Sequence, residues 1–303
     1  AAGNVSAMSG SLDVTISLSV TPAPTITGFS EDSGIAGDFR TNDTTLTIQG
    51  TSAADATVEI YSGGVPIGTT TDDGAGNWFF TTGELADGSY AFHARATAPD
   101  SIKSTYSNQF NVAVDATPPT VAITDPVSGD NLVGSSDASL LSVSGTATEG
   151  QSVSVTFRDS LDATVTGTAI VDGSGNWILT NANISSLQEG TITVEARASD
   201  AAGNQSALAT HDFELDKTSP AAPVITGYSD DTGNPDFQTS DNTLIFTGTA
   251  DAGETVNVYL GATLVATGVA DGNGDWSAST GVLSDGFHYF YARAVDAAGN
   301  QSD

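Results

Sequence analysis

The sequence predicts an all-β protein of three tandem β-sandwich domains in an extended rod. The chain has 303 residues, enough for two or three small domains. Apolar residues alternate with polar ones in short runs, as at Val153, Val155 and Phe157, and again at Val256 and Val258. A period of two predicts half-buried strands. No window shows the 3.6-residue period of an amphipathic helix, so strands are the expected elements throughout.

An internal repeat sets the number of domains. The motif Asp-Gly-x-Gly-x-Trp begins at residues 73, 172 and 271, a constant spacing of 99 residues, and it contains all three Trp of the chain. Other landmarks keep their order around it: a Pro-containing start, a Gly-Thr pair, a Leu-x-x-Gly segment and an Ala-Arg-Ala triplet. Self-similarity at a fixed period indicates tandem structural units.

Within the third repeat each strand is assigned in chain order. The predicted strands are A at 223–227, B at 243–248, C at 255–260, D at 263–270, E at 275–279 and F at 287–295, with G after Ser302. About seven short strands in about 100 residues are typical of an immunoglobulin-like sandwich. Each Trp follows a glycine-rich hairpin turn at the start of strand E, so we expect it to be buried between the sheets.

The domain boundaries follow from the repeat. We predict repeat one at 21–115, repeat two at 116–216 and repeat three, lacking its strand G, at 217–303. Residues 1–20 resemble the end of an F–G turn and a strand G, so we assign them to a preceding repeat. We expect residues 8–19 either to complete repeat three of a neighbouring molecule, head to tail, or to extend without sheet partners.

Composition excludes several functional classes. Seven Lys and Arg stand against 37 Asp and Glu, giving a net charge of −30. Such a chain cannot neutralise phosphates, so nucleic acid is excluded as a partner, and direct membrane insertion is not expected. With no Cys, disulfides and thiolate metal sites are impossible. No Ser–His–Asp set recurs, and we expect no enzyme activity.

Together these landmarks resemble the bacterial immunoglobulin-like repeats of giant non-fimbrial adhesins exported by type I secretion. The resemblance covers nearly the whole chain. It implies a stalk segment at the bacterial cell surface or secreted, with calcium bound at or near domain junctions. The segments that carry it are 231–233, 239–241, 248–250, the Asp-Gly-x-Gly-x-Trp turns, the Leu-x-Asp-Gly segments and 296–302.

Strand direction indicates where acidic residues meet. In a seven-strand sandwich the B–C and F–G loops return to the end at which the chain starts, and the preceding domain's A–B loop faces the same junction. At the second junction we expect Asp216, Asp251 or Glu254, and Asp296 to bind one cation. The corresponding residues at the first junction are Asp115, Glu149 and Asp200. Clustered carboxylates and carbonyls suit Ca²⁺, which takes six to eight oxygens.

The long A–B loops form a second acidic cluster. These loops either share the junction sites or close a cation site within their own domain. The top of repeat one departs from the pattern, because Ser19 and Ala98 stand where the other repeats have Asp. The predicted A–B ligands are Asp32, Asp38 and Asp43 in repeat one and Asp230, Asp231, Asp236 and Asp241 in repeat three.

Two functions are consistent with these patterns. The first is a calcium-stiffened structural stalk whose direct partners are the neighbouring repeats, and whose parent protein attaches to a host-cell glycan or receptor. The alternative is a ligand-binding module that itself recognises a glycan or host protein. That alternative requires an exposed aromatic cluster or a loop unique to one repeat. Its candidate residues are Tyr61, Tyr106, Tyr228, Tyr289 and Tyr291.

Overall fold

A computed structural model describes residues 3, 5, 8–13, 20–99, 102–148, 152–229 and 238–303. These residues form strands and two short 3₁₀ turns, Val127–Gly129 and Asp137–Ser139. None of the helical segments in this part of the chain is long and apolar enough to cross a membrane. The chain divides into two compact units, one of residues 1–117 with 201–204 and one of residues 118–200 with 205–303.

Repeat one is a sandwich of two sheets around its own apolar core. Its strands are β1 (Thr25–Phe29), β2 (Arg40–Thr41), β3 (Thr47–Thr51), β4 (Thr57–Ser62), β5 (Val65–Thr71), β6 (Asn77–Thr81), β7 (Gly88–Thr97) and β8 (Phe110–Val114). One sheet has the order β1-β3-β6 and the other β2-β8-β7-β4-β5. All pairs are antiparallel except β2, which runs parallel to β8.

Repeat two has the same two-sheet arrangement and a separate core. Its strands are β9 (Val121–Ile123), β10 (Leu132–Val133), β11 (Leu141–Ala147), β12 (Ser152–Arg158), β13 (Thr164–Ile170), β14 (Asn176–Ala182), β15 (Gly190–Ser199) and β16 (Ala209–Leu215). The sheet orders are β14-β11-β9 and β10-β16-β15-β12-β13. Strand β10 pairs in parallel with β16, as β2 does with β8.

Repeat three follows the predicted strands A to F within a few residues. Its strands are β17 (Val224–Tyr228), β18 (Ile245–Thr249), β19 (Thr255–Leu260), β20 (Thr263–Val269), β21 (Asp275–Ser279) and β22 (Phe290–Val295). They form two three-stranded sheets, β17-β18-β21 and β20-β19-β22, around a third core. After β22, Gln301 forms an isolated bridge with Val295. The predicted all-β fold of tandem immunoglobulin-like sandwiches is confirmed.

Each Asp-Gly-x-Gly-x-Trp turn is closed by its first Asp. In repeat two the Asp172 carboxylate accepts hydrogen bonds from the backbone N–H groups of Ser174 (2.8 Å) and Asn176 (2.9 Å). These bonds hold the pKa of Asp172 below its ordinary value. The predicted hairpin forms locally, because Val171 and Trp177 on either side of the turn make an antiparallel bridge; beyond that bridge β13 and β14 continue in different sheets, so the turn also connects the two layers. The second glycine has positive φ in all three copies: Gly76 (+88°), Gly175 (+79°) and Gly274 (+86°).

The Trp of each turn is buried, as predicted: Trp78, Trp177 and Trp276 are 0%, 2% and 3% exposed. Each ring lies over the glycine of the Gly-Thr pair on strand B. A Cβ on Gly145 would stand 2.5 Å from the Trp177 ring and 1.9 Å from the Ala122 carbonyl oxygen. Gly50 and Gly248 are equally crowded. The glycine therefore makes the space that the indole fills between the sheets.

Half of the proposed strand at residues 8–19 falls outside the described residues. Residues 8–13 are described and contain no strand, with Met8 and Leu12 exposed. Residues 14–19 are not among those described, so the pairing of this segment stays a prediction.

Candidate metal centre

Among the acidic residues that the structure describes, Glu254 has the surroundings least favourable to its charge. It lies in the B–C loop of repeat three and is 9% exposed. Its Oε2 atom is buried and has no hydrogen-bond partner. Burial raises the pKa of the Glu254 carboxyl, and the negative charges of Asp251 and Asp296 raise it further. An ionised carboxylate in this position calls for a positive charge that the surrounding residues do not supply.

Asp296 is held in place by the F–G loop that it begins. Asn300 donates its backbone N–H to Asp296 Oδ1 (2.9 Å) and its side-chain Nδ2–H to Asp296 Oδ2 (2.9 Å). The loop closes because Ser302 exchanges hydrogen bonds with Ala294 on β22, through its backbone N–H and its hydroxyl. The carboxylate of Asp296 is therefore fixed in orientation at the top of repeat three.

The same Asn300 also reaches the segment that precedes repeat three. Its Nδ2 donates to the backbone carbonyl of Asp216 (3.0 Å), and its Oδ1 accepts from the backbone N–H of Ser135 in repeat two (2.8 Å). Asp216 in turn donates its N–H to the Val133 carbonyl (3.0 Å), and its Oδ1 accepts from Thr218 N–H (3.0 Å). The A–B loop of repeat two, the linker and the F–G loop of repeat three therefore meet, as strand direction predicts.

Asp115 repeats the environment of Asp216 within the first compact unit. Its N–H donates to the Thr41 carbonyl (2.9 Å), and its Oδ1 accepts from Thr117 N–H (3.3 Å). The Asp115 carbonyl accepts from the side chain of Asn204 (2.7 Å). Asp200 belongs to the second unit, where it is buried. Glu149 lies outside the described residues, so its part in a cation site stays a prediction.

The A–B loop acids divide into two kinds. Asp38 and Asp43 accept hydrogen bonds from the backbone N–H two residues ahead, at 2.9 and 2.8 Å, which is the geometry of an Asx turn. Asp241 does the same toward Thr243 (2.9 Å). Asp32 differs, because its Oδ1 is buried without a partner while its Oδ2 accepts from Gly37 N–H. Residues 230, 231 and 236 lie outside the described part of the chain.

These carboxylates are the donor type that Ca²⁺ selects. Two of them, Glu254 and Asp32, each carry a buried oxygen that no hydrogen bond satisfies. Among the residues that the structure describes, no group of three or more His, Asp or Glu is arranged to hold a metal ion. The side chains are of the type that binds calcium, but the described residues do not bring together a ligand set, so a calcium site at the junction stays a prediction.

Sequence reasoning left Asp251 and Glu254 as alternatives and missed Asn204 and Asn300. Asp251 and Glu254 differ in burial, because Asp251 is exposed and Glu254 is buried. The two Asn residues occupy the same place in the segment Asp-Ala-Ala-Gly-Asn, which occurs in repeats two and three. That recurrence was the available signal, but it did not reveal what the Asn side chain binds.

The aromatic candidates for a ligand site are divided between repeats. In repeat one Tyr61 is buried, Tyr106 is 51% exposed, and their ring centroids lie 5.1 Å apart. In repeat three Tyr291 stacks on Tyr259 at 5.2 Å, and Tyr289 is exposed. Within the described part of the chain the tyrosines form no single exposed cluster.

Comparison with known proteins identifies the repeats. A sequence profile of the bacterial Ig-like domain matches residues 19–116, 127–217 and 219–303. A second profile, of the group 3 bacterial Ig-like domain, matches residues 75–167. No curated protein matches the chain.

Several solved structures are similar to the chain. A Ca²⁺-stabilised adhesin of an Antarctic bacterium, which binds ice, is 22% identical, with 93% of this chain and 72% of that chain covered and a TM-score of 0.43. A 1.5-MDa bacterial ice-binding adhesin is 18% identical, with coverage of 94% and 96% and a TM-score of 0.37. A tetra-tandem repeat from the extending region of a large adhesion protein is 25% identical, with coverage of 92% and 71% and a TM-score of 0.32.

The profile matches show the family. The first profile covers well over half of the chain in three consecutive matches. These matches follow the three copies of the Asp-Gly-x-Gly-x-Trp motif along the sequence. The chain therefore belongs to the bacterial Ig-like domain family.

Proposed function

We propose that this chain is a calcium-stiffened stalk segment of a giant bacterial adhesin at the cell surface or secreted, and that it has no catalytic role. Its repeats at 21–115, 116–216 and 217–303 would act as spacers between a cell and the surface to which the parent protein attaches. The observation that carries the proposal is the buried, unpartnered oxygen of Glu254 beside Asp251 and Asp296. A cation there would remove the cost of burying that charge.

The proposed ligands come from three segments at each junction. Asp216, Asp251, Glu254 and Asp296 would serve the second junction, and Asp115, Glu149 and Asp200 the first. The A–B loop acids would contribute to the junctions or to sites within their own domains: Asp32, Asp38, Asp43, Asp230, Asp231, Asp236 and Asp241. When bound, Ca²⁺ supplies positive charge and a preference for many oxygen ligands.

Binding at a junction would favour one arrangement of the neighbouring repeats. Each repeat has its own core, so the fold of a single repeat does not depend on the ion. The junction carboxylates repel one another without a cation, in a chain of net charge −30. A ligand present at about 1,000 times its Kd stabilises the bound form by about 4 kcal/mol. Millimolar extracellular calcium would thus extend the stalk.

The location of the parent protein is inferred from composition and family. A chain without Cys needs no oxidative folding after export, and an acidic surface resists self-association. Attachment to a host glycan or receptor would belong to the parent protein. In this proposal the chain's own direct partners are its neighbouring repeats.

Calcium titration of the full chain tests the proposal. Calorimetry should detect Ca²⁺ binding, and small-angle scattering should show a larger maximum dimension in calcium than in chelator. Mg²⁺ at the same concentration should bind more weakly, because it demands near-ideal octahedral geometry and gives up its water reluctantly.

Two variants with one charge fewer make the test specific. Glu254→Gln should weaken one calcium site. Asp212→Asn is the matched control, because Asp212 is exposed on β16 and bonds to Thr193 within the sheet; it should leave binding unchanged. If chelation alters neither the maximum dimension nor the melting temperature, the stalk is not stiffened by calcium and the proposal fails.

A further inference from the structure

The segments 201–204 and 297–300 share the sequence Ala-Ala-Gly-Asn and make contacts of the same kind. Each lies in an F–G loop and ends on an almost fully buried Asn: Asn204 is 8% exposed and Asn300 is 2% exposed. We infer that this loop is a docking element that binds the backbone of the preceding repeat, at the A–B loop and the linker, without a metal ion. Its partner is the preceding repeat of the same chain, whose A–B loop presents a glycine to it.

Contacts inside the second compact unit show the docking most fully. The side chain of Asn300 makes three hydrogen bonds, to the Asp216 carbonyl, the Ser135 N–H and the Asp296 carboxylate. Two of these three partners belong to the backbone of repeat two and its linker. The donor and acceptor atoms of the buried amide are thus both satisfied, as a buried polar side chain requires.

A glycine makes the close approach possible. A Cβ added to Gly134 would stand 2.2 Å from the Ala298 carbonyl oxygen and 3.3 Å from Asn300 Oδ1. Because the first of these atoms is backbone, a side chain at residue 134 would push the two loops apart. Gly134 does not have positive φ, so the close approach and not its own conformation demands glycine.

The first compact unit contains the same kind of joint. Asn204 donates to the Asp115 carbonyl (2.7 Å), the Ile35 N–H donates to the Ala201 carbonyl (3.1 Å), and a Cβ on Gly34 would stand 2.1 Å from that same oxygen. The two joints differ in register by one residue: Gly34 contacts the first Ala of its loop, Ala201, whereas Gly134 contacts the second Ala of its loop, Ala298. The shared features are the Asn bound to a linker carbonyl and the glycine beneath the loop.

Repeat one has a receiving loop but lacks this docking sequence. Its F–G loop closes on Ser104, which bonds to Ala96 as Ser302 bonds to Ala294. The loop then differs, because Ile102 accepts a hydrogen bond from Thr21 of the same repeat. Closure of the F–G loop therefore occurs with and without the Ala-Ala-Gly-Asn sequence, whereas the docking contacts described above are made by that sequence.

Docking is distinct from calcium binding in the atoms that it uses. Contacts across the joint go to backbone N–H and C=O groups, whereas the proposed calcium ligands named above are side-chain carboxylates. We therefore expect the joint between repeats two and three to persist when calcium is removed. Amide hydrogen exchange of the full chain in chelator, followed by NMR, measures whether the joint persists. The reporter is the Ser135 N–H, which donates a hydrogen bond to Asn300 Oδ1.

In chelator the wild-type Ser135 amide should exchange at least about tenfold more slowly than in Asn300→Ala. Gly134→Ala, which acts from the other side of the joint, should accelerate the same amide to a similar degree. Gly173→Ala is the matched control, because Gly173 is in the same repeat, lacks positive φ, and a Cβ added there would have no atom within 4 Å. Core amides of β12 should be unchanged in all three variants.

Two results would overturn the docking inference. In the first, Ser135 exchanges at its intrinsic rate in chelator and is protected only in calcium, which means that the ion alone orders the joint. In the second, neither Asn300→Ala nor Gly134→Ala accelerates the exchange of Ser135. Failure of the calcium proposal would instead leave Ser135 protected in chelator while calorimetry detects no binding, so the two failures are distinguishable.

Discussion

Neutralising Glu254 should change the stability of repeat three in opposite directions with and without calcium. Glu254→Gln keeps the shape of the side chain, and repeat two already has Gln at the corresponding position, residue 151. In chelator the substitution removes a buried charge that faces Asp251 and Asp296. In calcium it removes a proposed ligand.

The magnitude follows from the burial of the carboxylate. A buried polar group without a partner costs about 1–3 kcal/mol, and a charged one costs more. The Gln amide stays buried at the same place, so the variant avoids only the extra cost of burying a charged group instead of a neutral one. That difference in unfolding free energy is roughly 1 kcal/mol. For a domain of this size that is a rise in Tm of about 4–8 °C in chelator. In calcium the variant should lose about 2.7 kcal/mol if the ion is at ~100 times its Kd.

Native-state hydrogen exchange provides the assay, because it reports each repeat separately. The amides of Val256 and Val258 on β19, whose side chains are fully buried, report the opening of repeat three. The amides of Val153 and Val155 on β12 report repeat two and serve as an internal reference. A variant that is less stable than wild type in chelator would refute the reasoning that Glu254 is a destabilising charge. Equal calcium stabilisation of both proteins would refute its role as a ligand.

Three further predictions concern pH and the core. The folded pKa of Glu254 is raised above its ordinary value of 4.5. In chelator its contribution to stability is therefore fully present below pH 4.5 and is lost as pH rises through the raised pKa. The difference in unfolding free energy between wild type and Glu254→Gln, measured against pH, reports this contribution alone. Gly145→Ala should destabilise repeat two by about 1–3 kcal/mol through overpacking against Trp177, whereas Gly173→Ala should stay near wild type in thermal unfolding. Trp177→Ala should cost about 3–5 kcal/mol in denaturant titrations, and iodide should scarcely quench the three native tryptophans; strong quenching would show that the rings are exposed.

The strands were predictable because their sequence carries the period of a half-buried sheet. Strand β19 begins and ends where the alternation of Val256 and Val258 indicates. Strands β2 and β10 were missed, since two residues are too few to show any alternation. The Asp-Gly-x-Gly-x-Trp turn closes as the predicted hairpin, but the sequence did not show that the strands beyond it lie in different sheets. A turn sequence fixes local backbone geometry, but whether the next strand stays in the same sheet depends on the packing of its Trp.

The candidate site was predictable only in outline. Strand direction indicates which loops share an end of the sandwich, and the contacts of Asn300 with Ser135 and Asp216 agree with that outline. Which acid is buried depends on the fold of the B–C loop, so the sequence could not separate Glu254 from Asp251. The Gly-Thr pair does end strand B in repeats one and three, as predicted. The sequence could not show why glycine is needed there, because in repeat two the requirement comes from Trp177, which is distant in the chain.

One side chain, Asn300, belongs to the docking loop and also contacts a proposed calcium ligand. Asn300 holds the Asp296 carboxylate with two hydrogen bonds and binds the Asp216 carbonyl with the same Nδ2 group. Fixing groups before a ligand arrives reduces the ordering that binding must supply. A joint of this kind would let calcium act on a junction that is already assembled, so the ion would tighten an existing arrangement. In that case the backbone contacts set the angle between repeats, and calcium sets how firmly the angle is held.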